Sequence, residues 1–126
     1  MSLMCVRLEQ VPNPGDVGKV RIDAYEFTIP LDSEDRLDLE NWDAAAPYCT
    51  TCRYLRDGTV QHGLLTRTGR GEWAFKYDSA EFGEDYIYRF LSHSFRPGEE
   101  LSITQSDGTD RFYRIASVTH PLVFDT

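Results

Sequence analysis

Apolar residues alternate with polar ones over most of this chain, and a period of two dominates any helical period. The clearest stretch is 95–118, FRPGEELSITQSDGTDRFYRIASV. Pro97-Gly98 opens it, Leu101 and Ile103 alternate, and Ser106-Asp107-Gly108 separates them from a run rich in aromatic and β-branched residues. Apolar runs flanking a Gly-containing turn predict a β-hairpin. A two-residue Asp107-Gly108 turn would oppose Leu101 to Arg114. A three-residue Ser106-Asp107-Gly108 loop, with Gly in the left-handed position, opposes Leu101 to Tyr113. The longer loop gathers Leu101, Ile103, Tyr113 and Ile115 on one face and leaves Phe112, Arg114, Ala116 and Val118 on the other. Burial should select it, because a one-residue slip scatters that set. Apolar groups on both faces make the second strand an inner one.

The same pattern recurs along the chain. Residues 4–9 read as a strand with Met4, Val6 and Leu8 on one side. A loop with two prolines and a glycine follows at 11–15. Residues 18–29 alternate, but the apolar set changes parity after Val20, Ile22 and Ala24 to Tyr25, Phe27 and Ile29, which predicts a bulge near Ala24–Tyr25. Pro30 ends that strand. The acidic segment 31–46 predicts a short helix capped by Asp32, Ser33 or Asp38, burying Leu39, Trp42 and Ala46 and stopped by Pro47.

From 52 to 77 the expectation is a meander. Asp57-Gly58 is a two-residue turn, Gly69-Arg70-Gly71 a second turn, and Trp73, Phe75 and Tyr77 share one face. Residues 84–93 fit either element, since Tyr86, Tyr88 and Phe90 alternate. The spacing of Tyr86, Ile87, Phe90 and Leu91, with acids early and basic groups late, favours a helix. The fold class that results is mainly β: a small antiparallel barrel or strongly bent sheet of about six or seven strands with one or two short helices, in one domain, 1–126. A barrel is preferred because it closes its own edges.

Composition narrows the function classes. The 126 residues carry 13 basic and 21 acidic groups, net −8, which disfavours nucleic acid and anionic membrane as partners. Seven Tyr, seven Phe and two Trp suit a packed core rather than a disordered chain. No apolar run is long enough for a membrane helix, and the first residues lack the apolar core of a secretion signal, with Met4 a second candidate start after residues 1–3. Three cysteines, an odd number, point to free thiols and a cytoplasmic location.

Cys49-Thr50-Thr51-Cys52 is the sharpest motif, with the spacing of two zinc thiolates or of a redox pair. Cys49 and Cys52 are therefore the candidate metal ligands. His62, His93, His120 and Cys5 stand at no recognised spacing from them, so plain packing thiols are the expectation, with no metal or other cofactor. Trp73 and Tyr77, with His62 and His93 as polar groups, form the candidate ligand pocket at a barrel mouth. The acidic run 32–43 lacks the ligand pattern of a calcium loop and reads as a solvated face. No phosphate-binding loop, nucleophile elbow or metalloprotease motif occurs, and no catalytic residue is assigned.

The leading expectation is a non-enzymatic cytoplasmic binding or interaction module. One alternative is a small-molecule-binding barrel, enzymatic or not, with an aromatic-lined pocket. Another is an acidic inhibitor or immunity-like protein capping a basic partner, for which 32–43 and 78–85 would have to form one acidic face. The partner is thus a protein or a small molecule, and self-association into a homo-oligomer is open.

Overall fold

The computed structural model describes residues 2–11 and 23–121. Within them the strands are β1 (Ser2–Gln10), β2 (Ala24–Leu31), β3 (Thr50–Tyr54), β4 (Val60–Arg67), β5 (Trp73–Tyr77), β6 (Glu84–Ile87), β7 (Glu100–Thr104) and β8 (Asp110–Thr119). Each pairs antiparallel with the next, and β8 returns to β1, so the sheet closes into an up-and-down barrel. Closure leaves no edge strand. The count is eight strands rather than the six or seven expected.

The uncounted strand lies in the segment read as a helix at 84–93. Residues 84–87 form β6, in which Asp85 and Ile87 are buried between the less buried Glu84 and Tyr86. A 3-10 turn, Phe90–Ser92, follows, entered through Arg89 at φ 50°. The helical spacing of Ile87 and Phe90 arose because both are buried, one from a strand and one from the turn beyond it. Period two won within β6 because its neighbours β5 and β7 offer backbone partners on both sides.

The β7–β8 hairpin takes the expected register, Leu101 opposite Tyr113. The Gln105 amide donates to the Thr109 carbonyl at 2.9 Å, and Gly108 sits at φ 84°. The β3–β4 connection has the same form instead of a two-residue Asp57-Gly58 turn. Leu55 N–H donates to Thr59 O at 2.9 Å around Arg56-Asp57-Gly58, with Gly58 at φ 92°. In both loops an aspartate side chain accepts the amide two residues on: Asp57 from Thr59 at 2.8 Å and Asp107 from Thr109 at 2.9 Å. That local bond favours the tight turn over a longer excursion.

No register shift occurs near Ala24–Tyr25 in the described pairing of β2. Val20 and Ile22, which carried that parity argument, and the loop from Pro12 onward lie outside the described residues. The shift lies instead between β1 and β8, where Leu8 opposes Ile115 and Arg7 opposes Ser117, leaving Ala116 as the extra residue. The bulge brings Val118 opposite Val6 and against the core, rather than onto the face of Phe112 and Arg114.

The two ends of the barrel differ in chemistry. One is closed by the β2–β3 and β6–β7 connections. In the first, 3-10 turns at Leu39–Asn41 and Ala46–Tyr48 flank α1 (Trp42–Ala45), with Asp38 accepting the Asn41 amide at 3.3 Å. Leu39 is exposed rather than buried; Trp42 and Ala45 make the inner contact, and Pro47 sits inside the last turn instead of stopping it. Trp42 meets Trp73 edge-on at 4.7 Å, Trp73 stacks on Phe90 at 5.1 Å, and Phe90 touches Phe95. This aromatic plug continues through Phe27 and Phe75 to Tyr25, so the barrel interior is filled. The opposite end, where β3 turns into β4 and β7 into β8, is polar.

Candidate functional site

Strand geometry places the site. Side chains alternate faces, so an inward apolar series that continues toward the polar end delivers its next inward residue to the mouth. On β1, Val6 and Leu8 lead to Gln10; on β7, Leu101 and Ile103 lead to Gln105. Ile87 and Asp85 share a face of β6, as do Thr51 and Arg53 of β3, while Asp23 precedes Tyr25 of β2 by two. Ile115 and Tyr113 of β8 lead to Arg111. Gln10, Asp23, Asp85 and Gln105 are all buried.

These groups form one network. Asp85 is fully buried and accepts from the Tyr25 hydroxyl at 2.8 Å, from the Tyr77 hydroxyl, and from the Ser106 amide at 3.0 Å. Arg53 lies over the Tyr25 ring at 5.4 Å. Its Nη2 and Nε donate to Asp23 at 3.0 and 3.4 Å, and its Nη1 reaches Asp85 at 3.5 Å. Gln105 Nε2 donates to the hydroxyls of Tyr113 (2.9 Å) and Tyr25 (3.3 Å), and Tyr113 in turn donates to Asp23 at 3.2 Å. Two carboxylates are thus held around one guanidinium by phenols, an amide side chain and a turn N–H. Buried charge is tolerable only with that degree of pairing.

The environment fixes the protonation states. Burial, then the neighbouring phenols and Asp85, raise the Tyr25 pKa far above its ordinary 10.0. Burial and Asp85 do the same for Tyr77, and burial and Asp23 for Tyr113. For Arg53, burial disfavours the charge, but the Asp23 bond and the surrounding negative groups outweigh it and its pKa is raised. The phenols are therefore committed donors and the guanidinium a committed cation. None is tuned toward neutrality, as acid–base catalysis would require.

Above this floor lies a concavity of about 420 Å³ lined by Gln10, Asp23, Arg53, Leu55, Arg56, Asp57, Gln105, Asp107 and Arg111. Arg56 donates to Gln10 Oε1 at 2.8 Å and Arg111 to Gln105 Oε1 at 3.1 Å. The volume is at the small end of ligand sites.

The residues singled out from sequence do not converge. Tyr77 belongs to the network, while Trp73 sits in the aromatic plug at the other end. His62 faces outward on β4, its Nδ1 3.2 Å from the Cys52 Sγ, and His93 is near the closed end with Nε2 3.0 Å from the Tyr88 carbonyl. His120 lies beyond β8 and is exposed. Cys49 is buried, its thiol donating to Ala45 O at 3.3 Å, whereas Cys52 points away from the core. Burial pushes the Cys49 thiol up to about 11; burial and Glu26 raise that of Cys52. Neither is an activated thiolate. Among the described residues no three His, Cys, Asp or Glu side chains are grouped to hold a metal.

Arg53, Asp23, Asp85, Gln105, Arg56 and Arg111 were not found from sequence. For Asp23, Asp85, Gln105 and Arg111 the signal is a polar residue two positions beyond the last apolar member of an inward series; Arg53 follows the polar Thr51 and Arg56 lies in the β3–β4 turn, so neither carries it. Comparison with known protein families, curated proteins and solved structures gave no match.

Proposed function

We propose that this chain is a non-enzymatic binding module that takes a small polar molecule into the open mouth of its barrel. One observation carries the reading: the interior is packed with aromatic side chains from the closed end up to Tyr25, and above it a concavity of about 420 Å³ is floored by the buried Arg53–Asp23–Asp85 network. A rigid, fully bonded polar floor under an open volume supports selective recognition, since preorganised groups lose little freedom on binding. The committed protonation states of Arg53 and the phenols support binding over turnover. Three free thiols agree with a cytoplasmic location, and no helix among the described residues is long and apolar enough to cross a membrane.

A protein-docking role would use the closed end instead, where a groove of about 360 Å³ runs past the exposed Tyr88 and Leu91. The acidic-cap reading has less support. Residues 32–43 lie in the β2–β3 connection and 78–83 in the β5–β6 connection, at opposite ends of the barrel.

Thermal-shift screening of the intact chain against small polar metabolites, followed by amide chemical-shift mapping of the hits, tests the proposal. Hits should perturb residues 53–59 and 104–111 and leave the Trp42–Trp73 end unmoved. Hits that map only to Tyr88–Ser92, or a broad screen without any hit, would refute it.

A further inference from the structure

The concavity carries a preference of charge that goes beyond binding as such, though it rests on the reading of the mouth as a ligand site. We infer that the mouth recognises a small oxyanion, a carboxylate or phosphate group, gripped by Arg56 and Arg111 above Arg53.

The aspartates of the mouth are already engaged. Asp23 and Asp85 are taken by Arg53 and the phenols, and Asp57 and Asp107 each hold a turn amide. The two outer arginines are held differently. Each is anchored by a neutral amide oxygen, Gln10 Oε1 for Arg56 and Gln105 Oε1 for Arg111. Among the described residues neither is ion-paired, although the chain has 21 acidic side chains to offer. An amide fixes the position of a guanidinium without cancelling its charge, and each fork retains N–H groups beyond the one given to the amide. The guanidinium fork matches carboxylate and phosphate oxygens in pairs. A ligand entering here meets the remaining N–H donors of these two forks, in a mouth where three arginines face the carboxylates of Asp23, Asp57, Asp85 and Asp107 and in a chain whose net charge is −8. Long-range attraction of an anion is weak in such a chain, so recognition depends on these two forks at contact distance.

The test uses the intact chain with four probes: inorganic phosphate, succinate, the diamine putrescine and the neutral polyol glycerol. Amide shifts and thermal stabilisation are followed at constant ionic strength. Phosphate or succinate should saturate with shifts at 104–111 and 53–59, while putrescine and glycerol should not. The tighter of the two anions identifies phosphate or carboxylate as the natural group. Arg56→Gln and Arg111→Gln should each weaken that binding about tenfold to a hundredfold, the range for one charge-assisted hydrogen bond, with the unliganded melting temperature read alongside to separate lost binding from lost folding. Putrescine or glycerol binding at the mouth, or anion binding indifferent to both variants, overturns the oxyanion inference and leaves the mouth as a ligand site. Anion-induced shifts confined to the Tyr88–Ser92 end overturn both.

Discussion

The Tyr25 hydroxyl donates to Asp85 Oδ2 at 2.8 Å across the interior of the barrel, from β2 to β6, strands on opposite sides of the closed ring. Sixty residues of chain separate the two, and three strands lie between β2 and β6 either way round the ring. Asp85 is the acceptor on which both phenols and Arg53 converge. Asp85→Ala would leave the Tyr25 and Tyr77 hydroxyls and the Ser106 amide without their acceptor, with Arg53 still paired to Asp23, at a cost of about 3–5 kcal/mol in all. Tyr25→Phe removes one donor and leaves the others, at a cost of about 1.5–3 kcal/mol. Denaturant unfolding should rank the alanine variant as the weaker. If it lay within about 1 kcal/mol of the parent, the network would contribute nothing net to the fold.

Alkaline pH should unfold the domain through the same groups. Cys49 is raised from 9.0 to about 11, and Tyr25, Tyr77 and Tyr113 are raised from 10.0. Each holds its proton more tightly folded than unfolded, so the unfolded chain releases protons first as pH rises. Stability is full below the unfolded values and is lost as pH climbs through them toward the folded ones. The melting temperature should fall from pH 9 upward and more steeply beyond 10. Tyrosinate absorbance from the three buried phenols should appear together with loss of structure. Cys49→Ser should flatten the part of the fall between 9 and 11. Gradual ionisation of all tyrosines without unfolding would show that the phenols are not held by the network.

Gly63 lies where the backbones of β4 and β5 leave no room for a side chain. A Cβ there would stand 2.1 Å from the Lys76 carbonyl oxygen and 2.7 Å from the Tyr77 Cα, both backbone atoms that cannot swing aside. Gly63→Ala must part β4 from β5 and should cost about 3 kcal/mol or more, the upper range of overpacking. Gly69 has nothing within 4 Å, so Gly69→Ala is the matched control and should be close to neutral. Equal stabilities for the two variants would contradict the β4–β5 packing.

Two neighbouring apolar residues on β8 separate core from surface. Ile115 is buried and Phe112 is 62% exposed. Ile115→Ala should cost about 2–5 kcal/mol, whereas Phe112→Ser should change stability by about 0.5 kcal/mol or less. Similar losses for both would place Phe112 against a surface that covers it.

What could be read in advance follows from how local the determinants are. The β7–β8 register was legible because turn chemistry at Ser106-Asp107-Gly108 and alternation at Leu101, Ile103, Tyr113 and Ile115 select the same pairing within one hairpin. Strand β6 was not. Its four residues are too short to outweigh the helical spacing that continues to Phe90 and Leu91, and only pairing to β5 and β7 decides it. With β6 hidden, Asp85 read as a helix-start acid instead of the inward partner of Tyr25. Arg53 was hidden for a related reason. An arginine in a strand reads as solvent-facing until the closed ring sets Asp23 and Asp85 beside it. The aromatic stripe Trp73, Phe75 and Tyr77 was legible as one buried face, but a face spans the barrel from end to end. It could not say that Tyr77 meets the mouth and Trp73 the plug.

Cys49 and Cys52 give the sharpest test of a motif against a fold. Three residues apart at the start of a strand, they take opposite sides of the sheet. Cys49 donates inward to Ala45 O, and Cys52 lies outside beside His62. Two thiolates on opposite faces cannot share one ion without unpairing β3 from its neighbours. The purified chain should therefore hold no stoichiometric zinc by elemental analysis, and a chelator should leave its melting temperature unmoved. Cys52→Ser should shift stability by about 0.5 kcal/mol or less, as for other surface positions. About one zinc per chain, lost together with the fold on chelation, would mean that metal binding and folding are coupled here. β3 would then have to leave the register in which Cys52 opposes both Glu26 and His62.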